Sequence, residues 1–399
     1  MLGIFVALSV FAGSAGAAEK VNLRLWLTGP LFEDYLKKVI PVFEEQNPGI
    51  SVKAETIDWG SYQQKILTAI AGGIAPDVVS VFVTDTAPFA EKNIFIPLDD
   101  LIDTSPFIEN YLEGSRWNGS LYALPIAMTV RPLYYRTDLL KEAGFSEPPK
   151  SWDDLRAVAK ALAVPGEQGR LERVGFWVPT NHPYKTHQVW LAFLQNNGGR
   201  VFDEKGNPVF DSKEGVEAAE LFHDLVKVDK VDIPGTITAD DKDMVQGKVA
   251  MLLSNSAIRG LPEDFVGNVG VALPPYNKVP VVEAAGEVIG ITSTSKHPKE
   301  AAKLIAFLTT DVEASVLYAR LEGGIPATAA AQEDEYIKNN RLLSDMRAIS
   351  NEYGIPLPKH PKWIEINRIL TSALDKIIID DAPAAATLKE AADRVRNLD

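Results

Sequence analysis

The chain has 399 residues, a formal net charge of −14 and no cysteine. That length exceeds what one hydrophobic core organises, so two domains are expected, and the acidic balance excludes a protein built to hold a phosphate backbone, so no nucleic-acid partner is expected. The lack of cysteine removes thiol nucleophiles, cysteine zinc sites, iron–sulfur clusters and disulfides together.

Residues 1–17 read as a secretory signal peptide. Leu2 to Phe11 is an apolar run too short to span a bilayer, and Ala15 and Ala17 stand in the A-x-A arrangement that signal peptidase accepts. Cleavage is expected after Ala17 or Ala18, and with no cysteine to carry a lipid the mature protein is expected free in the periplasm. Val21, Leu23, Leu25 and Leu27 then alternate with Asn22, Arg24 and Trp26, the period of a strand. Leu36, Val39, Ile40 and Phe43 follow at helical spacing, with Pro41 expected to kink that helix or mark its last turn. Ile50 to Ala54 reads as a strand and Ser61 to Ala71 as a helix. Asp77 to Phe82 is apolar almost throughout, as in a strand covered on both faces, which predicts a largely parallel sheet. Asn118-Gly119 reads as a tight turn between strands.

The strand and helix rhythm resumes further on. Ser151 and Asp154 form a candidate capping box before a helix with Leu155, Val158, Ala159 and Leu162 on one face. Ser212 opens another, with Ala218, Leu221, Phe222 and Leu225. Val249 to Leu253 is a buried-strand candidate. Pro298 suits the first position of a helix carrying Ala301, Leu304, Ile305 and Leu308. Trp363 onwards reads as two helices split at Asp380 to Pro383. Alternation of this kind is α/β.

Motifs for chemistry are lacking. The five histidines, His182, His187, His223, His297 and His360, have no metal-ligand spacing. There is no P-loop, no dinucleotide fingerprint and no nucleophile elbow. No catalytic residue, metal site or cofactor is expected.

Several blocks carry a resemblance in their order and spacing. They are Phe43 to Val52 (FEEQNPGISV) running on to Ala75-Pro76-Asp77-Val78-Val79, then Leu121 to Pro125 with Leu133 to Leu140. Pro148 to Leu155, Asn197-Gly198-Gly199 and Gly247 to Met251 come next, followed by Ser295 to Ala302 and Gly323-Gly324-Ile325-Pro326. Read together, they make the mature chain similar to the bacterial extracellular solute-binding proteins of family 1, the maltose-binding-protein superfamily.

The resemblance implies a two-lobed periplasmic-binding-protein clamshell. Each lobe is a mainly parallel sheet flanked by helices, with three interlobe crossings near Ala127 to Thr129, Val288 to Ile291 and Pro326 to Ala331. The N-terminal lobe would hold 18–128 plus 290–327, and the C-terminal lobe 129–289 plus 328–399. The implied function is the extracytoplasmic component of an ABC importer. It captures a small polar solute, a sugar, by hinge closure and delivers it, as a monomer, to the membrane permease subunits. The alternatives are a binder of an anionic solute such as glycerol phosphate or a sugar acid, and a periplasmic carbohydrate-active enzyme.

Ligand contacts are expected from Thr28, Trp59, Thr84 and Asp85 at the strand ends of the first lobe. Thr129 and Arg131 would contribute at the first crossing, Trp177, Tyr184 and Asn255 on the second lobe, and Glu287 at a further crossing. Arg136 resembles the subset of the family that binds α-glucosides, but Thr129 stands where that subset carries Asp. Ser254-Asn255-Ser256-Ala257 replaces the family's Asn-Gly-Pro-Trp, and Ala285-Gly286-Glu287-Val288 replaces a Gly-Gly-Trp. Two stacking aromatics of the second lobe are therefore missing, which leaves a smaller sugar, a polyol or a sugar phosphate open. With Thr129 in place of an acid, Arg131 is expected to turn its guanidinium to the ligand. The competing reading pairs it with Asp85 or Glu287. Trp26, Trp152, Trp190 and Trp363 are assigned to core and helix anchoring.

Overall fold

The computed structural model describes residues 20–182, 184–235, 241–255 and 261–398. The expected signal peptide, its cleavage site, and Ser256 and Ala257 of the altered second-lobe loop lie outside the described residues.

The chain begins with three parallel strands. β1 (Val21–Thr28) pairs in register with β2 (Ile50–Ile57) and, through Leu25 and Trp26, with β3 (Val78–Phe82). The helices α1 (Glu33–Gln46) and α2 (Tyr62–Ala71) connect them. Pro41 neither ends α1 nor sits in its last turn, because the helix runs on to Gln46. Proline in a helix interior costs about 3 kcal/mol. The same helix buries Tyr35, Leu36, Val39, Ile40 and Phe43, each contributing about 1.5–3 kcal/mol, and the sum of five outweighs one lost hydrogen bond. At Asn118-Gly119 the strands Arg116–Trp117 and Ser120–Leu121 form the expected hairpin. Both turn residues have positive φ, 48° and 87°, the left-handed pair that a two-residue turn demands.

Two long strands cross the molecule. β4 (Leu124–Val130) and β8 (Val282–Ile291) pair antiparallel, from Ala284 opposite Val130 to Ile289 opposite Leu124. The register slips between Glu287 and Val288, an irregularity that re-aims side chains and tolerates Pro125 in a strand. β8 also lies antiparallel to β3, and the short strand β9 (Ile325–Pro326) joins the other edge of β4. Of the third expected crossing segment, 326–331, only Pro326 joins this sheet, and the chain turns helical at Ala329.

The second lobe departs from the parallel expectation. β5 (Leu133–Arg136) is flanked by β6 (Met251–Leu253) and β7 (Val269–Ala272), both antiparallel to it. Val174 adds a parallel bridge to Val249. A strand covered on both faces loses its polar alternation whichever way its neighbours run, so the sequence pattern carries no direction. Around this sheet pack α3 (Trp152–Leu162), α4 (Lys185–Asn196), α5 (Lys213–Lys227), α6 (Trp363–Ile378) and α7 (Ala384–Arg396). They share one apolar core that includes Trp190 and Trp363. A separate core gathers Leu23 to Met128 with Ile289 to Ala327.

Local signals hold where they are local. Ser151 Oγ accepts from the Asp154 N–H at 3.1 Å, and Asp154 Oδ2 accepts from the Ser151 N–H at 3.1 Å. Ser151→Ala is expected to lower stability by about 1 kcal/mol, read as a shift in the urea midpoint at unchanged slope; an unshifted midpoint would show the cap to be idle.

Candidate functional site

Two cavities lie against the crossing strands. The larger, about 530 Å³, is walled by Val83, Thr84, Met128, Ala284 and the segment 350–359. Its lysine, Lys359, is engaged by the Glu113 carboxylate at 2.6 Å. Of the expected ligand-contacting residues only Thr84 faces it. The smaller, about 270 Å³, is lined by Trp59, Thr129, Tyr184, Asn255 and Glu287 together. Volume and convergence of polar groups thus point to different cavities. Recognition of a small polar ligand needs aromatic surface and several convergent polar groups in one pocket, and five of the expected contacts meet in the smaller one against one in the larger.

Seven further residues complete that smaller lining: Tyr62, Phe82, His182, Lys185, Gln188, Gly286 and Glu322. Sequence reasoning missed them, although one signal was available. Tyr184 and Gln188 are four apart at the start of α4 and so share a helix face.

Aromatic surface comes from the first lobe. Trp59 stands on Tyr62 edge to face, their centroids 5.3 Å apart. Tyr62 donates its hydroxyl to the Asp85 carboxylate, and Gln63 Nε2 donates to it at 2.9 Å. Asp85 is 1% exposed. Burial pushes its carboxyl up to about 6 against the pull of these two donors. Asp85 therefore anchors Tyr62 from behind and is not itself at the cavity surface. Thr28 is likewise withdrawn. It is fully buried, its N–H donates to Ser80 Oγ and its hydroxyl to the Ser80 carbonyl, each at 2.7 Å. The expectation of cleft contacts from Thr28 and Asp85 is corrected on these grounds, since sheet pairing and helix docking already occupy their polar atoms.

Arg131 is corrected more sharply. It does not lack a protein partner, nor is that partner Asp85 or Glu287. Its Nε donates to Glu283 Oε2 at 3.2 Å and its Nη2 to Gln188 Oε1 at 2.6 Å. Arg131 is 3% exposed and Glu283 2%. Trp177, 5% exposed, packs in an apolar cluster with the Lys185 ammonium 5.2 Å above its ring, and so supports Lys185 rather than lining the cavity. Arg136 is tied to Asp138 and to the Met244 carbonyl, away from the cleft lining.

On the wall formed by the crossing strand and the helix Val312–Glu322 stand Glu287 and Glu322, each 3% exposed. The Tyr318 hydroxyl donates to Glu287. On the second-lobe wall stand His182, Tyr184, Lys185, Gln188 and Asn255. Burial, with the nearby Lys185 and Arg131 cations, holds the His182 ring down to about 4, so it is neutral at physiological pH. Behind it His187 is held down to about 3 by burial and lies against Thr371 at 3.1 Å. Burial raises the Tyr184 phenol to about 12, so it keeps its proton. Thr129, between the walls, has a buried hydroxyl with no hydrogen-bond partner among the described residues.

Comparison with known proteins agrees with this architecture. Residues 29–314 match the family model described as bacterial extracellular solute-binding protein. A binding protein of Brucella abortus (strain 2308) is 29% identical over 413 residues, covering 98% of this chain and 96% of that protein. The arabinooligosaccharide-binding protein of Bacillus subtilis (strain 168) is 25% identical over 319 residues, 74% of this chain and 70% of its own. Among solved structures, maltose-bound MalE3 of T. maritima superposes with a TM-score of 0.81 at 25% identity, over 94% of this chain and 99% of that one. With more than half its length matched and the two-lobed fold in place, the chain belongs to the bacterial extracellular solute-binding protein family.

Proposed function

We propose that this protein is the extracytoplasmic receptor of an ABC importer and that it captures a small carbohydrate in the 270 Å³ cleft between its lobes. One observation carries the reading. Aromatic faces at Trp59, Tyr62 and Tyr184 share a single cavity with carboxylates at Glu287 and Glu322 and amides at Gln188 and Asn255. Sugars present apolar C–H faces and a rim of hydroxyls that both donate and accept, so they match such a lining. A dianionic phosphate fits less well, because two buried carboxylates on one wall repel it. The relatives support the sugar: the B. subtilis protein is named for arabinooligosaccharides and the T. maritima structure holds maltose. The lobes would comprise 18–128 plus 290–327 and 129–289 plus 328–399, closing on the ligand as a monomer and presenting the closed form to the permease. The ligand is released unchanged.

The test is a thermal-shift panel of D-glucose, L-arabinose, D-tagatose, maltose, arabinobiose, glycerol and glycerol 3-phosphate. A ligand at a hundred times its Kd adds about 2.7 kcal/mol to stability by mass action. At least one sugar is expected to do so, and small-angle scattering with that sugar is expected to show a smaller radius of gyration. A shift with glycerol 3-phosphate alone would overturn the carbohydrate reading. An unchanged radius at saturation would overturn closure. Chromatographic recovery of an altered sugar would overturn the receptor in favour of an enzyme.

A further inference from the structure

Two side chains on the second-lobe wall of the cleft, Gln188 and His182, have their hydrogen-bond polarity fixed from behind. Gln188 Oε1 accepts from Arg131 Nη2 at 2.6 Å. A guanidinium only donates, so the amide oxygen must face it and the amide nitrogen must face away. Arg131 is in turn held by Glu283, both almost wholly buried. Flipping Gln188 would set donor against donor at a buried charge, which is costly. Gln188 lines the cavity, so the group it has left to offer there is Nε2–H.

His182 is fixed in the same sense by different means. Its Nδ1 accepts the backbone N–H groups of Tyr184 at 3.2 Å and Lys185 at 3.1 Å, at the start of α4. A ring nitrogen that accepts carries no proton, so the neutral ring bears its hydrogen on Nε2. The other wall is opposite in kind. Glu287 and Glu322 are carboxylates, acceptors only when ionised.

Resting on the carbohydrate reading, we propose that Gln188 and His182 are specificity-determining donors that read oxygen acceptors along one edge of the ligand, while Glu287 and Glu322 read hydroxyl donors along the other. The cleft then orients its sugar by the sense of its hydrogen bonds, and Arg131 is the positioning residue that sets the sense of Gln188. Ring, carbonyl and glycosidic oxygens, which only accept, are then read by Gln188 and His182 and not by the Glu287 and Glu322 carboxylates. Hydroxyls that must donate belong to the Glu287 side.

Two measurements test this on the mature protein. The first needs no ligand. Long-range ¹H–¹⁵N spectra at pH 6 are expected to show His182 neutral with the proton on Nε2, and an Nδ1–H tautomer or a charged ring would overturn its assignment. The second uses the panel sugar with the largest thermal shift and its monodeoxy derivatives against wild type, Gln188→Met and Arg131→Lys. In wild type one deoxy position is expected to weaken binding about two- to tenfold, the worth of one neutral hydrogen bond. In Gln188→Met that same deletion is expected to cost nothing further, and in Arg131→Lys the discrimination is expected to shrink, because a freed amide can flip. The ratio of parent to deoxy affinity is read within one protein, so a change in folding stability does not move it. Full discrimination retained at every position in Gln188→Met would overturn the role of Gln188. If no panel sugar binds wild type, the carbohydrate reading falls while the tautomer measurement still decides whether the wall is a donor wall.

Discussion

Arg131→Met is expected to lower the unfolding free energy by about 3–5 kcal/mol at pH 8, because it strands a buried carboxylate. Arg131 and Glu283 are 3% and 2% exposed; Arg131 directly follows β4, and its backbone N–H donates to the Glu283 carbonyl on β8 at 3.1 Å. Burial pushes the Glu283 carboxyl up to about 7, and Arg131 is what opposes it. Without the guanidinium the folded value rises further, while the unfolded value stays near the ordinary carboxylate range, about 4.3. A raised folded pKa contributes stability that is fully present below the unfolded value and is lost as pH rises through the folded one. The deficit of Arg131→Met relative to wild type is therefore expected to be largest at pH 8 and to shrink toward pH 5. Urea titrations at the two pH values measure it, and a deficit that stays flat or grows on acidification would sink the account. Adding Glu283→Leu to Arg131→Met removes the stranded charge and is expected to recover most of the loss, since a buried ion pair replaced by apolar groups is often neutral. Affinity lost in Arg131→Met would then reflect the released Gln188 rather than a direct contact.

Gly286→Ala is the second large effect. Gly286 lines the cleft from the middle of β8. A Cβ there would stand 2.2 Å from the Ala127 carbonyl oxygen and 3.1 Å from Met128 Cα, both in the backbone of the neighbouring crossing strand. Backbone cannot rotate away as a side-chain tip does, so the two crossings must separate. Overpacking of this kind costs about 1–3 kcal/mol and more where nothing yields, and the expected loss is about 3 kcal/mol with weakened sugar affinity. Gly267→Ala is the control. A Cβ at Gly267 meets nothing within 4 Å, and the change is expected to stay within about 0.5 kcal/mol. Equal urea midpoints for the two variants would refute the clash.

The sequence by itself determined the α/β class, the cap at Ser151, the Asn118-Gly119 turn, the proline start at Pro298 and the break between the last two helices. Each of these depends on neighbours a few residues apart, where propensity, capping and turn chemistry act. The family resemblance named Trp59, Thr129, Tyr184, Asn255 and Glu287 as ligand contacts, and these five line one cavity although Thr129 and Glu287 sit inside strands and Tyr184 at a helix start. Strand direction in the second lobe was hidden, since a doubly covered strand reads the same either way. Only the tertiary structure decided which polar groups are already occupied. Thr28 meets Ser80, Asp85 meets Tyr62 and Gln63, and Arg131 meets Glu283 across a sequence separation of 152 residues. A side chain's chemistry is written in its own letter, but whether that chemistry remains free for a ligand depends on partners that only folding brings within hydrogen-bond distance.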